Sequence, residues 1–274
     1  MKEKCGADQE TSSFRIHEID AYISTILLIE YEKGLLLFDS GCINDVRRIE
    51  DYCRRTLKCS PEAIKLIVVS HMHPDHAGGA AELRRKYGIP IAAHTEADRW
   101  YAGPGGALQH KLDCYMASTV AYRNRRRLER ILFHRYIYPD YLLEEGRVLP
   151  FFPDWMVLNV PGHTLHDLAF FHPEERIVYI ADLICDVKSK NQLPLPILFP
   201  GQMRSSYDKL ASLEAHTILR SHGKTIHTND SEQLFTSMKA LLDHPATSFV
   251  KRVHRMSIYS PEICRYYRSS SNKG

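Results

Sequence analysis

Residues 71–76 read His-Met-His-Pro-Asp-His, so three imidazoles and one carboxylate fall within six positions. Neutral imidazole is a good ligand for Zn, Fe, Mn or Ni, and carboxylate oxygen is a harder second donor. Two apart in an extended loop, His71 and His73 can turn their rings to one side and share an ion. Asp75 and His76 lie past the bend at Pro74 and suit a second ion better than a crowded first one. Two ions about 3.5–4 Å apart suit hydrolysis, with a bridging hydroxide as nucleophile and one ion on each reacting oxygen. The competing explanation is a polar loop whose histidines merely cap or meet solvent, and four donors in six residues count against it.

The apolar, β-branched run Ile64–Val69 reads as a buried strand that delivers the chain to His71. Pro74 cannot continue a sheet ladder, so the chain must leave the sheet here. Gly78-Gly79 permit a close approach before a helix over Ala80–Tyr87, closed by Gly88. The cluster therefore lies in a loop at the carboxyl end of a strand, a usual position for a site in an α/β protein. Three later stretches repeat the arrangement. Met156–Val160 is strand-like and runs into Pro161-Gly162-His163-Thr164; Arg176–Ala181 ends in Asp182; Thr217–Ser221 ends in His222.

His71-x-His73-x-Asp75-His76-x-Gly78-Gly79, followed in order by His163, Asp182 and His222, resembles the signature of the metallo-β-lactamase-fold hydrolase superfamily. The resemblance implies that metal one takes His71, His73 and His163. Metal two takes Asp75, His76 and His222, and Asp182 bridges. It implies two divalent ions, zinc first, with iron or manganese as alternatives. No separate catalytic base is needed, because Asp75 or Asp182 can orient the nucleophile or accept its proton. Hairpin signals at Tyr22–Phe38 and Ala169–Ile180 give the chain two similar halves, which predicts two sheets face to face with helices outside. The family fold is the same: an α/β, four-layer αβ/βα sandwich with two pseudo-equivalent halves.

Around this frame, Asp39-Ser40-Gly41 resembles the family's early aspartate-glycine motif. Asp39 either accepts the free N–H of a ligand histidine or closes an Asx-type turn. His94 falls outside the ligand order and is read as structural; His166 is read as a surface group or a polar group at the pocket mouth. An amphipathic helix is expected over Asn44–Leu57 with Asn44 as cap, and others over Ser205–Glu214 and Asp230–Leu242. The proline-rich stretch 188–203 is expected to be an ordered loop that walls the substrate site.

We divide the chain into a loose segment at 1–12, a hydrolase domain at 13–268 with a helical insertion at about 95–147, and a disordered tail at 269–274. Within the insertion, Ala102–Gly106 is expected to be a flexible loop and Leu108–His134 a helix carrying the arginines of 123–130. Most of those arginines are read as solvated, with one or two contacting substrate. In the family an insertion here shapes substrate choice or dimer contacts, so a small-molecule substrate, anionic if the arginines touch it, and a homodimer are the partners expected. A net charge of +3 does not by itself imply nucleic acid. Seven cysteines without a C-x-x-C pair read as reduced thiols, no stretch is long and apolar enough to cross a bilayer, and Met1–Glu10 lacks the apolar core of a signal peptide. Together these predict a cytoplasmic protein.

Departures from single branches matter for the reaction. His163-Thr164 continues as Leu165-His166-Asp167, and Cys185 stands where acyl-homoserine lactonases carry a tyrosine. His222-Gly223-Lys224 does not match the glyoxalase II continuation, and the large insertion of the nucleolytic branch does not fit this length. The reaction expected is hydrolysis of a small ester, lactone or thioester. The alternatives are a phosphodiesterase or nuclease of the same fold, or an iron-dependent redox enzyme with the same ligand set.

Overall fold

Period-two alternation along the central strands decides the layering. The computed structural model describes residues 14–271; the loose segment expected at 1–12 and residues 272–274 lie outside them. One sheet holds β1 (Arg15–Asp20), β2 (Thr25–Tyr31), β3 (Gly34–Phe38), β4 (Ile64–Val69), β5 (Ile91–His94) and β6 (Tyr141–Leu143), in that order. Strands β1 to β3 pair antiparallel, and β3 to β6 parallel. In the other, β7 (Val148–Leu149), β8 (Phe152–Asn159), β9 (Leu168–His172) and β10 (Ile177–Tyr179) pair antiparallel. A small hairpin follows, β11 (Cys185–Asp186) with β12 (Asn191–Gln192). Strand β13 (Thr217–Leu219) then adds parallel to β10, and β14 (Ile226–His227) closes the edge.

Leu27, Ile29, Leu36, Phe38, Leu66 and Val68 point from the first sheet toward Phe152, Trp155, Val157, Phe170 and Tyr179 of the second. The intervening residues, Ile26, Leu28, Leu37, Ile67 and Val69, face outward and pack under helices. Those helices are α1 (Val46–Asp51), α2 (Pro74–Ala77), α3 (Ala80–Tyr87) and α4 (Gly103–Arg123). On the far side, Leu158, Ala169, Phe171 and Val178 pack against α5 (Pro200–Ala211) and α6 (Ser231–Leu241). Helices α7 (Ser248–Arg255) and α8 (Pro261–Ser271) end the described chain, with Ile263 of α8 buried in the first helical layer. The result is the expected helix, sheet, sheet, helix sandwich of two related halves.

The predicted strand and helix around the motif hold in detail: β4 ends at Val69 and α3 spans Ala80–Tyr87, closed by Gly88 at φ 67°. The glycine pair is needed for proximity. A Cβ at Gly79 would sit 2.6 Å from the Ser40 carbonyl oxygen, and one at Gly78 2.2 Å from that of Pro74.

Several expectations are corrected. The helix placed at Asn44 begins as a 3-10 turn over Ile43–Asp45 behind Cys42, while the Asn44 amide donates to Glu129 at 2.7 Å. The loop expected at Ala102–Gly106 is the first turn of α4. Pro104 is tolerated there because the first turn has no N–H partner to lose, and Gly106 lets the helix lie on Tyr101. That helix ends at Arg123 instead of near His134, so most of the arginine run lies in irregular chain. There Arg126 pairs with Asp20 at 2.6 Å, and the Tyr22 hydroxyl donates to the Arg127 carbonyl at 2.9 Å. These contacts fasten the insertion to the body. Helix α5 starts at Pro200 and takes up the last part of the proline-rich loop, and neither Ser205 nor Ser206 caps it. Asp230 does cap α6, accepting the Gln233 N–H. Helix α7 had no counterpart in the sequence reading. Helix α8 runs through Ser271, so residues 269–271 of the expected disordered tail are helical.

Candidate metal centre

Every residue of the candidate site follows the carboxyl end of a strand: His71 after β4, His163 after β8, Asp182 after β10 and His222 after β13. Backbone hydrogen bonds tie these loops together across both sheets. The Leu168 N–H donates to Ser70 O at 3.0 Å, Thr25 to Ser221 O at 2.7 Å, and Ser221 to Ala181 O at 3.1 Å. The Ser40 hydroxyl and N–H both donate to the His76 carbonyl, each at 2.8 Å.

All seven predicted residues converge. His71, His73, His163 and Asp182 form one group, and Asp75, His76 and His222 another, with the donor atoms within each group all inside 4.8 Å of one another. In the first group, His73 Nδ1 lies 3.0 Å from His71 Nε2 and 2.8 Å from His163 Nε2. A tetrahedral ion with nitrogen ligands at 2.0–2.1 Å places them about 3.3 Å apart, so the spacing is that of ligands around one small cation. In the second group His222 Nε2 is 3.1 Å from Asp75 Oδ2, and His76 Nε2 is 3.7 Å from it. Asp182 divides its oxygens. Oδ1 is 2.9 Å from His76 Nε2 and 3.3 Å from His222 Nε2, while Oδ2 is 3.6 Å from His163 Nε2 and 3.9 Å from His71 Nε2. His76 Nε2 and Asp182 Oδ1 are buried and close, yet neither makes a hydrogen bond. Orphaned buried lone pairs of this kind are what a cation satisfies.

The electrostatics divide the cluster. Burial, reinforced by the neighbouring imidazoles, holds His71 and His73 well below the usual histidine range, so both rings are neutral donors of a lone pair. Burial acts the same way on His76 and His222, but the carboxylates outweigh it and raise both, Asp182 and Asp75 for each and Asp39 as well for His76. Burial would raise Asp75 and Asp182; the neighbouring histidines reverse that and hold both carboxyls low.

Ring orientation is fixed from outside the cluster. His163 Nδ1 meets the Pro196 carbonyl at 2.6 Å, and His71 Nδ1 meets the Ser70 hydroxyl at 3.1 Å. Asp39 resolves in favour of the histidine-orienting role. Its carboxylate lies 2.7 Å from His76 Nδ1 and accepts from the Ser70 N–H, the Ser70 hydroxyl and the Tyr179 hydroxyl. The far nitrogen of His73 faces Asp113 of α4 at 3.9 Å. Asp113 also accepts from Tyr101 and Gln109, and burial raises it to about 7. Sequence reasoning missed Asp113, because a single aspartate inside an insertion carries no spacing signal. It also missed Asp167, which gathers the His163 N–H, the Thr164 N–H and the Thr164 hydroxyl and so shapes the third loop; the Thr164-x-x-Asp167 spacing was the available clue.

His94 stays outside the cluster, as expected, with its Nδ1 accepting the Glu96 N–H at 3.0 Å. His166 is corrected. It is 1% exposed, its Nε2 accepts the Met72 N–H at 3.1 Å, and Glu262 of α8 lies 3.6 Å from its other nitrogen. Over the cluster opens a cavity of about 340 Å³ walled by α4, α7 and the Leu195-Pro196 loop. Its floor includes His73, Asp75, His163, Asp182 and His222. Among the described residues, no helix is long and apolar enough to cross a membrane.

Comparison with known proteins gives the same picture. The sequence model of a family described as "Metallo-beta-lactamase superfamily" matches residues 19–222. The chain is 23% identical over 175 residues to "Probable metallo-hydrolase YflN" of Bacillus subtilis, covering 58% of this chain and 64% of that one. It is 26% identical over 160 residues to "Acyl-coenzyme A thioesterase MBLAC2" of Homo sapiens, covering 58% and 52%. It thus spans less than two thirds of either relative. Among solved structures, metallo-beta-lactamase family protein TTHA1429 from Thermus thermophilus superposes with a TM-score of 0.62 at 19% identity, over 94% of each chain.

Proposed function

The chain belongs to the metallo-beta-lactamase superfamily, and on that premise we propose that it is a metallo-hydrolase that uses two divalent ions to cleave a small ester, lactone or thioester. The observation that carries this reading is the division of Asp182, with one oxygen toward each group of donors. His71, His73 and His163 would hold the first ion, Asp75, His76 and His222 the second, and Asp182 both. Zinc suits the imidazole-rich first group; iron and manganese suit the same donors.

Such ions supply a hydroxide nucleophile at neutral pH and neutralise charge on the oxyanion. The chain's own groups do the rest. Asp39, Ser70 and the Pro196 carbonyl hold three imidazoles in the tautomer that leaves a lone pair facing the cluster. Asp75 and Asp182, on the cavity floor, would orient the attacking water as hydrogen-bond acceptors. The apolar walls of α4 and α7 exclude bulk water from the acyl group.

Among carbonyl substrates, a thioester or ester with an apolar acyl part fits these walls best, in keeping with the name of the human relative. The second reading, a phosphodiesterase, draws on the arginines at the cavity rim. A panel of aryl ester, lactone, thioester and bis-p-nitrophenyl phosphate, offered to metal-loaded protein, separates the two. Turnover of carbonyl substrates is expected; turnover of the phosphodiester alone would reverse the ranking.

A further inference from the structure

The cavity above the cluster is built from one face of each of two helices. From α4 come Met116, Ala117, Val120 and Arg123, spaced along a single stripe beyond Asp113; from α7 come Phe249, Arg252 and Val253, with Met256 just past its end. No residue of α7 is buried, and its apolar side is the cavity wall. Large apolar side chains here stay open: Tyr115 is 63% exposed, Phe249 44%, Leu195 44% and Val120 41%. Apolar surface of this extent, continuous with a hydrolytic centre, is the lining of a substrate groove.

The groove has a charged far end. Arg123 stands in the last turn of α4, ten residues beyond Asp113, or about 15 Å along the helix axis at 1.5 Å per residue. Its guanidinium lies over the Phe249 ring at 5.3 Å, and Arg252 sits one turn along α7 on the same face, back toward the cluster, because the Met256 carbonyl at the end of α7 accepts from Gln109. Among the described residues neither guanidinium has an acidic partner, whereas Arg126 and Arg48 nearby in sequence or space are paired. Two unpaired guanidinia on facing helices, one at the outer end of an apolar channel and one partway along it, form an anion site.

We infer that the substrate is an extended amphiphile: its scissile carbonyl lies at the histidine–aspartate cluster, an apolar chain runs along α4, and a distal anionic group is held by Arg123 and Arg252. This rests on the hydrolase reading for the identity of the reacting end, but the groove and its anion site are tested by binding alone.

Alkyl sulfonates are suitable probes, because sulfonate is a weak metal ligand and the chain length is adjustable. Calorimetry on metal-loaded protein should show octyl sulfonate binding at least tenfold more tightly than butyl sulfonate, since each buried methylene adds several-fold in affinity. The exposed pair R123Q/R252Q should weaken octyl sulfonate tenfold or more and leave octanol binding unchanged. Val120→Asp, on the wall, should weaken both. Affinity independent of chain length, or indifferent to the arginines, would overturn the assignment. If the sulfonate pattern holds while no carbonyl substrate is cleaved, the hydrolase reading falls and the groove stands. If carbonyl substrates are cleaved without the pattern, the groove assignment alone falls.

Discussion

At the scale of single residues, the site depends on side chains that touch no substrate. Asp39 has a left-handed backbone, φ 56°, which is uncommon outside glycine and costs of order 1 kcal/mol. The conformation turns its carboxylate under β4, where one group serves His76, Ser70 and Tyr179 together. Asp39→Asn keeps the shape and removes the charge that favours the correct His76 tautomer. We expect metal affinity to fall 10–100-fold with the fold retained, measured by chelator competition beside circular dichroism; unchanged affinity would remove Asp39 from the site. A second residue reports on acid stability. Burial, helped by the nearby His166 ring, lowers His94 to about 4, against about 6.5 in an unfolded chain. The stability gained by keeping it neutral is complete above pH 6.5 and is lost as pH falls from there through about 4. Urea unfolding between pH 7.5 and 4.5 should lose about 1–3 kcal/mol less in His94→Asn than in the wild type. Parallel curves would contradict this.

At the scale of elements, legibility followed the strength of local signals. Strand β4 and helix α3 were readable because an apolar run and a closing glycine bound them, whereas the short helix α2 that carries Asp75 and His76 was read as loop. The four strand ends that carry the histidine–aspartate cluster were readable from their apolar runs, and so was their order. The start of helix α4 was misplaced because its glycines looked like a loop. Gly105 and Gly106 are there for proximity: a Cβ at Gly105 would lie 2.6 Å from the Tyr259 carbonyl oxygen, and one at Gly106 2.2 Å from the Tyr101 carbonyl carbon. Gly106→Ala therefore sets two effects against each other. Alanine improves helix propensity by about 1 kcal/mol, while forcing atoms into a packed contact costs about 1–3 kcal/mol. The contact is with backbone, which cannot rotate aside, so the clash should win. Chemical denaturation should show Gly106→Ala less stable than the wild type; a gain would mean α4 shifts freely. Helix α7 went unread because its eight residues bury nothing, so only Thr247 and a short apolar stripe marked it.

At the scale of the whole molecule, the sandwich explains why such distant positions can cooperate. Each half contributes a sheet whose strands end at the same edge, and the shared inner core of Phe38, Trp155, Phe170 and Tyr179 locks those edges in register. The groove, by contrast, is made by an insertion and the C-terminal helices, packed through contacts that no local pattern encodes. That is why the candidate metal centre was legible in the sequence and the shape of the cavity above it was not. The proposed dinuclear centre has seven side chains, with Asp182 shared, binding two ions. The most direct measurement is metal content per chain by mass spectrometry after metal loading and dialysis, for the wild type and Asp182→Asn. For that centre about two ions are expected in the wild type, and one or fewer in the variant together with a sharp loss of hydrolytic rate. One ion or none in the wild type under metal-replete conditions, or an unaltered variant, would contradict it.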